Sequence, residues 1–219
     1  MKDVLLVHGA WHGGWCFAEV IGELEDRGLT CHTVDLPSSG STATLSDDAA
    51  VVREKIADID APVLAVGHSY GGIVISESAA DATGLLYLCA FQLDAAESLV
   101  GALSAGMPPW IAVDDAAGTM TVTDPDHAFY HDCTPEQQAA AAAKLAPQSI
   151  ASFAAEQTAA AWRDLPSTYV ICEQDHAIPP AAQEAMSARS GTVHRMDASH
   201  SPFLSMPGPL ADLIAAAAD

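Results

Sequence analysis

Two stretches of this chain alternate short apolar runs with longer segments whose apolar positions recur at helical spacing. Runs at 4–8, 30–35, 63–68, 84–90, 168–172 and 192–196 predict strands. Segments 15–27, 46–58, 70–80, 180–189 and 208–217 predict helices between and after them. Strands apolar at consecutive positions are buried on both faces, and strands joined through helices run parallel. The pattern therefore predicts an α/β fold: a parallel six-stranded sheet with helices on both faces. Gly28 closes the first helix as a C-cap, and no internal repeat is visible.

The alternation stops between the strand ending near Ala90 and the one starting at Thr168, roughly 75 residues later, which is too long for a simple crossover. Here lie Pro108-Pro109-Trp110, a hairpin arm from Thr119 to Thr123, and Thr134-Pro135-Glu136-Gln137 opening an alanine-rich helix to Leu145. Threonine as N-cap with proline in the first turn is a strong start signal. The expected organisation is a core of 1–92 and 166–219 with an inserted lid of 93–165. Met107, Trp110, Phe129, Tyr130 and Phe153 are candidates to line an apolar pocket under it.

Composition narrows the class. At 219 residues and 50% hydrophobic content, one sheet-based core suffices. No apolar run approaches the ~18 residues of a membrane span, and the chain opens almost at once on a strand, so no signal peptide is expected. Eight Lys and Arg against 29 Asp and Glu leave a net charge of −21. Such a chain is repelled by nucleic acid and by anionic membranes. The expected partner is a small neutral molecule, and a homodimer is allowed. Five scattered cysteines, Cys16, Cys31, Cys89, Cys133 and Cys172, predict reduced thiols and a cytoplasmic setting.

The chemistry concentrates at Gly67-His68-Ser69-Tyr70-Gly71, a G-x-S-x-G pattern with a strand before it and a helix after. A serine on that turn is held in strained geometry with its hydroxyl exposed. It needs a base and an orienting acid, which in this architecture follow in the order Ser, Asp or Glu, His. Asp175 and His200 both fall in loops after predicted strands, at the sheet edge that also carries Ser69. Asp94 is the competing acid from the preceding strand, and Glu173 the nearest alternative carboxylate. Asp197 is too close to His200 to orient it, His176 breaks the order, and His194 reads as structural. His32, His127 and His131 show no partner pattern. After the first strand, His8-Gly9-Ala10-Trp11-His12-Gly13-Gly14-Trp15 occupies the place of an oxyanion loop. Ala10 and Tyr70 N–H groups are the expected oxyanion donors, with Gly9 and Trp11 bordering the substrate. Phosphate-loop spacings are absent, and His8 and His12 have no third ligand nearby, so neither a cofactor nor a metal is expected.

These segments, with Asp35-Leu36-Pro37-Ser38-Ser39-Gly40, Cys172-Glu173-Gln174-Asp175 and the Ser199-His200 loop, resemble the α/β-hydrolase branch that contains plant methylesterases and α-hydroxynitrile lyases. The order matches over nearly the whole chain, and Tyr130, Cys133-Thr134-Pro135-Glu136 and Pro147 look related to that branch's cap. The resemblance implies a fold lacking two leading antiparallel strands. It also implies a cofactor-free site with Ser69 as nucleophile, His200 as base, Asp175 as acid, and Ala10 and Tyr70 as oxyanion donors. Two departures separate this chain from the lyases. Gly9 stands where they carry a threonine hydroxyl, and Ser201 where they carry a lysine that stabilises departing cyanide. Tyr70 replaces the leucine usual in the esterases and is expected to narrow the pocket or offer its phenol to substrate. The implied activity is hydrolysis of a carboxylic ester. A lactonase or amidase, a lyase on the same triad, and a non-catalytic binding protein are the alternatives.

Overall fold

A computed structural model describes residues 3–103 and 106–219. Six parallel strands form the main sheet in the order β2-β1-β3-β4-β8-β9. They are β1 (Asp3–Val7), β2 (Cys31–Val34), β3 (Val63–His68), β4 (Gly84–Leu88), β8 (Ser167–Cys172) and β9 (Thr192–Met196). Each lies within two residues of its expected bounds. The period of two sorts their side chains onto two faces. Leu5, Val7, Ala65, Tyr87 and Ile171 join one apolar core, and Val4, Leu6, Val66, Leu86 and Val170 the other.

Helices α1 (Ala18–Asp26) and α10 (Pro207–Ala218) cover one face through Val20, Leu24, Leu210 and Ile214. Helices α2 (Leu45–Ala57) and α3 (Gly71–Ser78) cover the other through Val52, Ile56, Ile73 and Val74. The first helix starts three residues later than expected, and the last lies within one residue of its expected bounds. A 3₁₀ turn, Gly14–Phe17, precedes α1, and the short α9 (Pro202–Ser205) precedes α10. Thr44 and Asp47 form a reciprocal capping box on α2. Among the described residues no helix is long and apolar enough to cross a membrane.

The long connection from β4 to β8 packs over the carboxyl edge of the sheet; positions 104 and 105 of the expected 93–165 insertion lie outside the described residues. It holds α4 (Leu99–Ala102), a hairpin of β5 (Ile111–Asp114) and β6 (Thr119–Val122) joined by β7 (Gln148–Ser149), α5 (Pro125–Phe129), α6 (Pro135–Ala142) and α7 (Ile150–Ala154). The capping box of Thr134 and Gln137 opens α6, which stops at Ala142, short of the expected Leu145. Helix α8 (Pro180–Ser187) joins β8 to β9.

Candidate active site

The turn after β3 is strained as its sequence predicts. Ser69 sits at φ +53°, a left-handed conformation costly for a side chain with a Cβ. The backbone crowding around it explains the flanking glycines. A Cβ on Gly71 would meet Val7 C=O at 2.4 Å, and one on Gly67 would meet Gly71 C=O at 2.6 Å. Helix α3 starts at once, directing its free N–H end at the same edge.

Two other loops of that edge supply the partners. His200 follows β9 and Asp175 follows β8, and His200 Nδ1 donates to Asp175 Oδ2 at 2.7 Å. That bond assigns the Nδ1–H tautomer and leaves Nε2 as the basic nitrogen. Asp175 also accepts Ala177 and Ile178 N–H on Oδ1, at 2.7 and 2.9 Å, and the Gln183 amide on Oδ2 at 2.9 Å. Both side chains are nearly inaccessible to solvent. Ser69 and His200 line one cavity, with Ala10, Trp11 and Tyr70 among its other walls. The competing carboxylates are engaged elsewhere. Asp94 pairs with Arg163, Glu173 lies 3.6 Å from Arg195, and Asp197 accepts from Gln174.

The loop after β1 is held by buried imidazoles whose tautomers follow from their partners. Leu36 N–H donates to His8 Nε2, so His8 Nδ1–H donates to Gly9 C=O at 2.8 Å. His12 Nδ1 donates to Ala10 C=O at 2.8 Å, so its Nε2 accepts the Tyr130 hydroxyl at 2.7 Å. Desolvation by burial pushes His8 down to about 4 and His12 to about 3, and both stay neutral. Gln148 accepts Trp11 N–H and donates to Ser38 Oγ, while Ser38 donates to the buried carboxylate of Asp48. Among the described residues neither Ala10 N–H nor Tyr70 N–H donates to a protein acceptor, although both residues are buried against the cavity. Unpaired N–H groups are rare in a protein interior.

The cavity walls correct three expectations. Of the expected residues, Trp11, Trp110, Phe129 and Phe153 line it, joined by Leu99 and Ile178. Tyr130 does not: it is fully buried and its hydroxyl is committed to His12. Gly9 does not either, because it is packed behind the nucleophile, where a Cβ would stand 2.8 Å from Ser69 Cβ. Met107 is outward, 39% exposed. The Tyr70 phenol is turned away from substrate: its ring borders the cavity while its hydroxyl donates to Asp48 at 2.7 Å. Burial raises the Asp48 carboxyl and pushes the Tyr70 phenol well up.

Some supports could not be read from the chain. Asp132, in the long connection, accepts Ser199 N–H at 2.8 Å and the Ser199 hydroxyl, tying the His200 loop to that connection. His68 Nε2 donates to His200 C=O at 2.8 Å from beneath the imidazole. His68, Cys89 and His200 are the one group of three such ligand atoms within 4.8 Å of each other among the described residues. His200 Nδ1 and His68 Nε2 are engaged with Asp175 and with His200 C=O, His68 Nδ1 is buried without a partner, and burial pushes the Cys89 thiol well up. His32 pairs with Asp3, while His127, His131 and His176 stack on one another at the surface.

A serine on a strained strand-to-helix turn, facing a cavity it shares with a carboxylate-bound histidine, defines a hydrolase of the nucleophile-elbow class. The model of the "Alpha/beta hydrolase family" matches residues 4–213, and the chain belongs to that family. Among curated proteins it is 28% identical to the alpha/beta hydrolase nvfD of Aspergillus novofumigatus, over 98% of this chain and 96% of that protein. It is 29% identical to a pyrethroid hydrolase of Sphingobium wenxiniae, over 100% of this chain and 88% of that one. The crystal structure of a pyrethroid hydrolase from Sphingobium faniae superposes with a TM-score of 0.87 at 26% identity, covering 100% of this chain and 97% of that one.

Proposed function

We propose that this protein is a serine hydrolase that cleaves carboxylic esters of small, largely apolar substrates through an acyl-enzyme. The observation that carries the reading is the buried Asp175–His200 hydrogen bond at the wall of a cavity that strained Ser69 also lines. His200 Nε2 takes the Ser69 proton as Ser69 Oγ attacks the carbonyl carbon. Ala10 and Tyr70 N–H groups receive the oxyanion, the task that their unpaired state fits. His200 returns the proton to the leaving alcohol, and water, activated by the same imidazole, releases the acid. Asp175 holds the tautomer and stabilises the imidazolium.

The connection from β4 to β8 serves as the lid. Eight of the cavity's wall residues come from it: Phe91, Leu99, Leu103, Pro108, Trp110, Ile111, Phe129 and Phe153. The cavity as it stands measures ≈ 30 Å³, room for a water or two, and it is partly open to solvent. Relatives named as hydrolases support hydrolysis over lyase chemistry. So does position 9, where a threonine would collide with Ser69, and position 201, a buried serine with no charge to offer cyanide. Five free thiols support a reducing, cytoplasmic setting.

The test is turnover of p-nitrophenyl esters together with labelling by a serine-directed phosphonate. Ser69→Ala should abolish both, and Asp175→Asn should lower kcat roughly 10⁴-fold on the triad precedent. Retained activity in Ser69→Ala would refute the assignment.

A further inference from the structure

Asp175 receives one hydrogen bond from a side chain outside the proposed triad. Gln183 lies in the first turns of α8 and is fully buried. Its Oε1 accepts Cys172 N–H at 3.0 Å, while its Nε2 donates to Asp175 Oδ2 at 2.9 Å and to Ile178 C=O at 2.7 Å. A backbone N–H only donates and a carbonyl only accepts, so these partners fix which way the amide points. One planar group thus ties together the end of β8, the carboxylate and the turn that follows it. It acts on Oδ2, the same oxygen that takes His200 Nδ1, while Ala177 and Ile178 N–H hold Oδ1.

We propose that Gln183 is a positioning residue for the reaction: it sets the rotamer of Asp175, keeps its charge uncompensated by any cation, and so aims His200 at Ser69. The proposal rests on the serine-hydrolase reading above. An amide fits this place for a chemical reason. A lysine or arginine would neutralise the charge that His200 needs as imidazolium. A glutamate would set a second carboxylate against Oδ2 and Ile178 C=O. An apolar side chain would strand Cys172 N–H and Ile178 C=O in the core. Only an uncharged side chain carrying both a donor and an acceptor satisfies all three neighbours. The titratable groups that face the Asp175–His200 pair are His12 from the loop after β1, His68 from β3, Cys89 after β4, and Tyr169 and Cys172 from β8. Burial keeps His12 and His68 neutral and the Cys89 thiol protonated.

The test compares Gln183→Met and Gln183→Glu with wild type on a p-nitrophenyl ester, each rate divided by active sites counted with the phosphonate. Gln183→Met should lower kcat about tenfold, the effect of one lost hydrogen bond to the acid, with KM little changed. Gln183→Glu keeps the acceptor for Cys172 N–H and adds negative charge beside the pair. It should move the acid limb of the kcat/KM profile about one pH unit upward, because the added charge favours the imidazolium. A purely structural glutamine would lower the number of active sites while leaving kcat per site and the acid limb where they were, and that result overturns the proposal. If Gln183→Met does not fold, the pH profile of Gln183→Glu decides alone. Loss of the serine-hydrolase reading is recognised separately, by activity or labelling that survives in Ser69→Ala.

Discussion

Replacing His12 with glutamine should make the fold less sensitive to acid by an amount set by one buried imidazole. His12 donates to Ala10 C=O and accepts the Tyr130 hydroxyl, and a glutamine amide carries the same donor and acceptor. Desolvation lowers the folded value of His12 from 6.5 to about 3. Below pH 6.5 the unfolded chain binds a proton that the folded protein refuses. The stability His12 contributes is therefore fully present above 6.5 and drains away as pH falls toward 3. Each pH unit in that window costs about 1.4 kcal/mol, so the loss from pH 8 to pH 5 is about 2 kcal/mol for this residue alone. Whole domains of this kind are held by only about 5–15 kcal/mol.

The raw pH dependence is no test, because protonating carboxylates on a chain of net charge −21 relieves repulsion and works in the opposite direction. The difference between wild type and His12→Gln isolates the imidazole. Urea unfolding followed by tryptophan fluorescence at both pH values should show wild type losing about 2 kcal/mol more than the variant on acidification. Equal losses within about 0.5 kcal/mol would mean that His12 is not buried neutral in the folded state, and the account of the loop after β1 would fail.

Three further outcomes follow from the packing. Gly9→Thr should destabilise the fold by about 1–3 kcal/mol and abolish ester turnover, since its Cβ would lie 2.8 Å from Ser69 Cβ; thermal unfolding and a rate assay read both effects. Asp132→Ala removes two hydrogen bonds to Ser199, leaving that of its hydroxyl to Phe129 C=O, and should cost about 2 kcal/mol in denaturant unfolding while lowering kcat more than it raises KM. Phe91 lines both the ≈ 30 Å³ cavity at Ser69 and a neighbouring groove of ≈ 590 Å³. Phe91→Ala should join the two, lowering KM for bulky esters while leaving that for an acetate ester unchanged, which a chain-length series checks.

Much of the site was legible because its chemistry is local. The strained turn at Ser69, the paired glycines and the apolar strand before them are neighbours in the chain, so their meaning survives without coordinates. Asp175 and His200 were legible as well, because loops after parallel strands must all emerge at one edge. The six strands and the core helices follow from period and composition, since burial on both faces demands consecutive apolar residues.

What tertiary structure alone decided is the fate of side chains whose partners lie far off in sequence. Tyr130 looked like a pocket aromatic until His12, 118 positions away, claimed its hydroxyl. The Tyr70 phenol turned from the substrate to Asp48. Asp94, an eligible acid by position, was taken by Arg163. Gln183 carried no motif, yet it holds the carboxylate on which the proposed chemistry turns. Asp94 pairs at the surface, but Tyr130, Tyr70 and Gln183 share one reason. A polar group in the interior must find a partner, residue type says only that it can, and the packing of remote segments settles which partner is within reach.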